Sequence, residues 1–288
     1  MTDAAPLPPG LYLVSTPIGA ARDITLRALD ILGTAEVLAA EDTRSLRHLM
    51  QIHAIAPGPR PMLAYHDHNG ARMRPKLLAA LAEGRSVAYA SEAGTPLVAD
   101  PGFQLVRAAV AAGHAVHAAP GASAVLAALA VAGLPTDRFA FLGFAPAQAG
   151  ARANFLAEAA AIPATCVFYE SPRRLARLLA EMVPIFGAGR AAVVCRELTK
   201  RHEEVIRGTL GELARDLAGR EVKGEIVVLT DRPGVAAVDA GDLDAALDAA
   251  LAGESLRAAV DRVASELGLP RRQVYQAALA RQKARDDD

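Results

Sequence analysis

Tryptophan is absent from this 288-residue chain, phenylalanine and tyrosine number only 7 and 5, and cysteine occurs twice. Aromatics this scarce exclude a broad base-stacking surface, so a nucleic-acid partner would be read by phosphate contact and assembled shape. Two cysteines exclude a disulfide scaffold. Cys166 and Cys195 lie in apolar runs (ATCVFYE and AAVVCREL) with no neighbouring Cys at metal spacing, the pattern of inert core thiols. A charge excess is missing too. Lys+Arg 31 against Asp+Glu 32 leaves −1, and 52% of the residues are hydrophobic, which excludes a disordered chain and a globally basic nucleic-acid coat. The opening MTDAAPLPPG has neither a basic nor an apolar region and reads as a frayed leader, not a secretory signal. Ala108 to Thr136 lacks Asp, Glu, Lys and Arg, yet Gly113, His114, His117, Pro120 and Gly121 interrupt it. A helix end, short strand, turn and second helix fit that stretch better than a membrane span. The chain is expected to be soluble and cytoplasmic, without a membrane partner.

Several chemistries are missing as well. No lysine is followed by Ser or Thr, so the Walker A loop is excluded. Gly187 to Ala192 (GAGRAA) matches the dinucleotide fingerprint but precedes a strand, whereas the motif must follow one, so it reads as a turn. Gly121-Ala-Ser123-Ala-Val125 has valine where a nucleophile elbow needs its second glycine, and reads as a helix start. His66-Asp67-His68 lacks a third ligand partner, and no metal site is expected.

What the sequence does contain is alternation. Short apolar runs (LYLVS, AEVLAA, SVAYA, HAVHAA) alternate with helical stretches around Ile24 to Leu32, Met73 to Glu83 and Phe103 to Ala111. This predicts a mostly parallel sheet covered by helices. The pattern returns with strands FAFLGF, TCVFYE, AAVVCREL and EIVVLT and helices near Asn154 to Ala161, Pro172 to Met182 and Leu210 to Leu217. Asp100-Pro101 and Ser171-Pro172 are helix-start signals. The fold class is therefore α/β. Pro120-Gly121 is the place to cut it, giving α/β domains at 10–120 and 121–234 with a tight linker. From Pro233 to Gly241 the strand pattern stops, and 240–288 reads as a helix-turn-helix appendage: Leu256, Val260, Val263 and Leu267 at helical spacing, a turn at Gly268-Leu269-Pro270, then a helix carrying Arg271, Arg272, Arg281, Lys283 and Arg285.

An open parallel sheet binds ligands beyond the carboxyl ends of its strands. The loops there are unusual: Thr16-Pro17-Ile18-Gly19 after the first strand, and Ser91-Glu92-Ala93-Gly94-Thr95-Pro96 after the third, small residues that let backbone approach a flat ligand. Several such loops on one edge imply a cleft.

Taken in order, LYLVSTPIGAARDITLRALDIL, AEDTR, SEAGTPLVADPG, PGASAVLAALAVAGLPTDRFAFLGF, FYESPRRL, CRELTKRHEE and KGEIVV resemble the ribosomal RNA small-subunit methyltransferase I branch of the tetrapyrrole methylase superfamily, over roughly Leu11 to Thr230. The tail after Gly241 resembles the extra domain many members carry. The resemblance implies two α/β domains with the donor in the cleft between them, S-adenosylmethionine as donor, the 2′-hydroxyl of a cytidine in 16S ribosomal RNA as acceptor, and a homodimer. Carried over by motif, the donor site would use Pro17, Gly19, Ser91, Ala93, Gly94 and Thr95, with Ser123, Phe168, Tyr169, Gly224 and Glu225 from the second half. The chain departs from the usual pattern at Ala20 (usually Asn), at Glu92 (usually Asp), and at Leu97-Val98-Ala99 (usually Gly-Ile-Ser).

Methylating a hydroxyl requires alignment and a proton acceptor. Glu41, Asp42, His66 and His68 are the candidates, because AEDTR ends a strand and YHDHN precedes a helix in the same half. The cations that could face phosphates are Arg44 with Arg47, the group Arg72, Arg74 and Lys76, then Arg173, Arg174, Arg196, Lys200 and Arg201, and in the tail Arg271 and Arg272. The partner would be small-subunit ribosomal RNA or the assembled subunit. Two rival readings share parts of this evidence: a corrin-type macrocycle methylase, which gives no reason for the basic tail, and a non-catalytic RNA-binding assembly protein, which gives none for the donor loops.

Overall fold

The computed structural model describes residues 6–98, 100–233, 240–267, 269 and 271–286. Met1–Asp231 forms one compact unit and Arg232–Asp288 a second.

The first unit opens with β1 (Gly10–Val14), α1 (Leu26–Thr34), β2 (Val37–Ala40), α2 (Thr43–Ile52), β3 (Met62–Ala64), α3 (Gly70–Ala82), β4 (Ser86–Ala90), α4 (Phe103–Ala111) and β5 (Val116–Ala119). The strands form one sheet in the order β3-β2-β4-β1-β5, with every neighbouring pair parallel. Strand side chains alternate, and here both faces are buried. Leu11, Val37, Ala39, Val87 and Tyr89 pack against Leu77, Leu81 and Leu105 of the helices on one side. Tyr12, Val14, Leu38, Ala40 and Ala88 pack against Ile31, Leu32, Leu46 and Met50 on the other. Because all five strands run the same way, their carboxyl ends share one edge.

The chain then continues through α5 (Ala124–Ala132), β6 (Phe139–Phe144), α6 (Ala149–Ala160), β7 (Thr165–Glu170), α7 (Pro172–Phe186), β8 (Ala191–Arg196), β9 (Glu204–Thr209), α8 (Leu210–Asp216) and β10 (Ile226–Thr230). Their sheet runs β6-β7-β10-β8-β9. Here the expected parallel sheet is corrected: only β6 and β7 are parallel, and the other three pairs are antiparallel. The reason is β9. This edge strand carries only Val205 and Ile206 as large apolar residues, so it hides in the sequence, and its hairpin from β8 reverses the direction. One face packs on α6, α7 and α8 through Cys166, Phe168, Val194 and Val228. The other packs on α5 through Val167, Val193, Cys195 and Val227. Both cysteines are free and buried, and burial pushes both thiols up, Cys195 to about 11.

Local signals explain several boundaries. Thr25 Oγ1 accepts from the Ala28 N–H at 3.1 Å to start α1, and Thr209 with Glu212 forms a reciprocal capping box on α8. Pro172 stands in the first turn of α7, as its sequence predicts. Asp100-Pro101 does not start α4. The Asp100 carboxylate accepts instead from the Gly102 N–H (2.7 Å) and the Tyr89 hydroxyl (2.8 Å), and the helix begins two residues later.

Among its described residues the second unit contains three helices, α9 (Ala240–Leu251), α10 (Leu256–Leu267) and α11 (Arg271–Asp286), around a core of Leu243, Leu247, Ala259, Val260, Val263, Val274 and Ala278. Gly268 and Pro270 of the expected turn, and Ala99 of the first half, lie outside the described residues. Among the described residues no helix is long and apolar enough to cross a membrane.

Candidate functional site

Two loops at the carboxyl edge of the first sheet are tied to each other. Thr16 and Gly94 exchange backbone hydrogen bonds of 3.0 Å in both directions, and Ser91 Oγ donates to the Gly94 carbonyl at 2.6 Å. Thr95 Oγ1 donates to the Ala122 carbonyl at 2.9 Å, which carries the tie to the chain entering α5. Gly121 lies so close to Ser15 that a Cβ there would meet the serine Cβ at 2.8 Å.

A third loop, Glu197 to Lys200 after β8, reaches both halves. Glu197 and Thr199 have φ of 52° and 64°, the left-handed region that non-glycine residues rarely occupy. Held that way, Thr199 Oγ1 accepts from the Ala20 N–H (3.1 Å), while Glu197 Oε1 accepts from the Glu225 N–H (2.9 Å) and from Lys200 Nζ (2.9 Å). Lys200 Nζ also pairs with Glu225 Oε2 at 3.0 Å. Burial works against the ammonium, but the two carboxylates outweigh it and Lys200 titrates above its ordinary value.

These loops enclose a cavity of about 710 Å³, lined by Pro17, Gly19, Ala93, Gly94 and Thr95 from the first half, and by Ser123, Tyr169, Gly224 and Glu225 from the second. Glu41, Glu92, Phe144, Glu170 and Lys200 also line it. Burial, followed by the nearby charges of Asp100, Glu92 and Asp67, raises Glu41 above its ordinary 4.5, although the Glu92 N–H works in the opposite direction. Burial also raises Tyr169.

Among the sequence candidates, the structure separates neighbours. Asp42 caps α2 and holds Arg44 through its backbone and guanidinium, contacts that lower its carboxyl to about 2. His66 and His68 pair edge-to-face at 6.0 Å and do not line the cavity. Phe168 needs a correction as a donor contact: alternation along β7 turns it away from Tyr169 into the opposite core, fully buried against Leu156 and Leu179. Ser91 is buried beneath its loop, which it braces. Arg174 is turned inward, with Nη2 donating to the Ala145 and Pro146 carbonyls and Nε 3.2 Å from buried Glu170. Arg196 holds Glu204 and the Lys223 carbonyl, and Arg271 holds Asp261. Arg44, Arg173 and Arg272 are exposed. Among the described residues no cluster of three or more His, Cys, Asp or Glu is arranged to hold a metal. The sequence reading missed Phe144, Glu170 and the Glu197–Thr199 bend. The aromatic after Gly143 was visible in FAFLGF, but left-handed Glu and Thr leave no compositional signal.

The sequence profile of tetrapyrrole (corrin/porphyrin) methylases matches residues 10–214, and that of the RsmI C-terminal HTH domain matches 237–282. A ribosomal RNA small subunit methyltransferase I from Mesorhizobium japonicum is 50% identical over 84% of this chain and 81% of its own. The chain belongs to the ribosomal RNA small subunit methyltransferase I family. A second member of that family, from Halalkalibacterium halodurans, is 39% identical over 92% of this chain and 93% of its own. Uroporphyrin-III C-methyltransferase from Thermus thermophilus, solved with S-adenosylhomocysteine, shares the fold at a TM-score of 0.54 and 22% identity, covering 77% of this chain and 97% of that one. For a ribosomal RNA small subunit methyltransferase I family member, a cavity where two α/β halves meet is the place to look for chemistry.

Proposed function

We propose that the cavity binds S-adenosylmethionine and that the chain transfers its methyl group to the 2′-hydroxyl of a cytidine in 16S ribosomal RNA. The observation that carries this reading is a raised carboxyl, Glu41, facing the same cavity as the glycine loops of both halves in a chain of this family. The residues fit the donor. A Cβ on Gly19 would meet Lys200 Cγ at 2.5 Å, and one on Gly224 would run into Glu197, so glycine at both positions lets the loops pack this closely around the cavity. About 710 Å³ is within the range of a pocket for a nucleoside-sized molecule. Bound there, the donor supplies an electrophilic methyl on a sulfonium.

The chain's own residues supply the remainder. Gly19 and Gly224 bring bare backbone to the wall of the cavity, and Ser123, which makes no side-chain cap to α5, has its hydroxyl available to the ligand. Glu92 and Glu225 add negative charge to the wall, complementary to a sulfonium cation. Glu41 accepts the hydroxyl proton: a carboxyl raised towards working pH is a better base than Asp42, whose charge Arg44 already stabilises. Exposed Arg44 and Arg173 meet phosphates of the incoming strand.

The proposal includes two functional halves, 10–120 and 121–234, a helical appendage at 240–288 that contributes to RNA affinity, assembly as a homodimer, and a cytoplasmic setting. The deciding experiment is transfer of labelled methyl from S-adenosylmethionine to small ribosomal subunits lacking the modification, followed by mapping. Label on a cytidine ribose is expected. Donor binding without transfer to the subunit would point to a small-molecule methylase, and absence of donor binding would overturn the enzyme reading.

A further inference from the structure

Phe144 is 54% exposed in the cavity wall, at the end of edge strand β6. Its direction is unusual. In a regular strand Phe141 and Phe144, three residues apart, would face opposite sides. Both rings instead contact Tyr169, at 4.8 and 5.6 Å between centroids. The β6–β7 register shifts between Phe141 and Gly143, and Gly143 takes the left-handed φ of 68° that makes the bulge. The bulge turns the last aromatic of the strand into the cavity.

The segment that follows is fixed from behind. Arg152, only 2% exposed, donates from Nη1 to the Pro146 carbonyl (3.0 Å) and the Ala147 carbonyl (2.7 Å). Arg174 donates to the Ala145 and Pro146 carbonyls, and Glu181 and Glu170 hold the two guanidiniums. Two largely internal arginines thus pin three successive carbonyls just beyond an apolar ring that remains open to solvent.

Resting on the reading of the site given above, we propose that Phe144 is the seat for the nucleobase of the target nucleotide, which stacks on its ring and so carries the adjoining ribose 2′-hydroxyl towards Glu41. Methylation at the ribose leaves the base chemically untouched, so the base needs a seat and not a catalyst. A ring stacks on any base, because every base has a π-face; Phe144 therefore contributes affinity and placement, and the surrounding RNA shape selects the nucleotide. The same flat-ring chemistry could come from the adenine of the donor. Tyr169 and the Gly224-Glu225 turn lie on inner strand β7 and just before β10, whereas Phe144 ends edge strand β6, whose outer side pairs with no further strand among the described residues.

The test uses the full-length protein as wild type, Phe144→Ala, Phe144→Leu and Phe144→Tyr, with donor affinity by calorimetry and steady-state methyl transfer to undermethylated small subunits. Loss of the ring should lower kcat/KM for the subunit by roughly 10- to 100-fold, mostly through KM, with donor Kd unchanged within about twofold. Phe144→Tyr should restore most of the loss, and Phe144→Leu little of it. A leucine variant equal to wild type overturns stacking in favour of mere apolar contact. A donor Kd that weakens in parallel with transfer assigns the ring to the adenine instead and also overturns it. Unchanged donor affinity in Phe144→Ala shows that the fold of the site is kept. Absence of transfer by the wild type overturns the functional reading itself, and this one with it.

Discussion

Glu41 and Asp42 are consecutive carboxylates at the junction of β2 and α2, and they face different electrostatic worlds. Arg44 favours the charge on Asp42, while burial with Asp100, Glu92 and Asp67 nearby disfavours it on Glu41. Methyl transfer should therefore fall on the acid side with a midpoint above the ordinary carboxylate value of 4.5, and Glu41→Gln should lower kcat by about 10²- to 10⁴-fold while donor Kd holds. Stability provides a second readout. A carboxyl raised in the folded state makes its contribution below the unfolded value, and this contribution is lost as pH rises through the folded one. Glu41→Gln should thus melt above wild type at pH 7, with the gap closing below the ordinary carboxylate range. Leu97 is another local conflict: it has φ of 74°, where the family pattern usually has glycine. The left-handed conformation costs a leucine about 1–2 kcal/mol, so Leu97→Gly should leave the denaturation midpoint unchanged or raised. Sequence could name Glu41, Asp42, His66 and His68 together, but it could not separate them. Adjacent residues at a strand–helix junction point different ways, and only the fold sets which one is desolvated.

Among elements, the glycine loops were readable in sequence because small residues and proline leave a plain compositional mark. The Gly224-Glu225 turn, in contrast, came only from the family resemblance. Gly224 has φ of 95° and its bare Cα lies against Glu197, so Gly224→Ala meets both a strained backbone and an occupied space. It should weaken donor binding at least tenfold in calorimetry while far-ultraviolet dichroism stays that of wild type. In the core, Leu179 on α7 is fully buried against the second sheet, and Leu179→Ala should cost about 2–5 kcal/mol in urea denaturation without changing the donor Kd of the folded fraction. What the sequence hid is irregular. The β6 bulge reverses the parity that a pattern reader relies on, β9 is an edge strand with little apolar signal, and the bend at Glu197 and Thr199 defies residue preference altogether.

On the scale of the whole molecule, two independently cored units explain why a length near two domains carries a third pattern at its end. The helical unit neutralises much of its own basic charge: Arg281 pairs with Asp244 and Asp248, Arg262 with Glu254 and Glu266, and Arg271 with Asp261. A chain ending at Asp231 should keep its cooperative unfolding and donor Kd but lose affinity for the small subunit. The loss should shrink as salt rises, because it reports phosphate contacts that salt displaces. The order of the second sheet has a further consequence for how the chain is made. Among the described residues β10 comes last of the strands in chain order, yet it sits in the middle, between β7 and β8. Until Ile226–Thr230 leaves the ribosome, both neighbours carry a row of unsatisfied amides and carbonyls, and the turn that closes the ligand cavity has nowhere to dock. The middle of the second sheet and the wall of the cavity beside it are therefore completed in the same step, when Ile226–Thr230 joins its two neighbours.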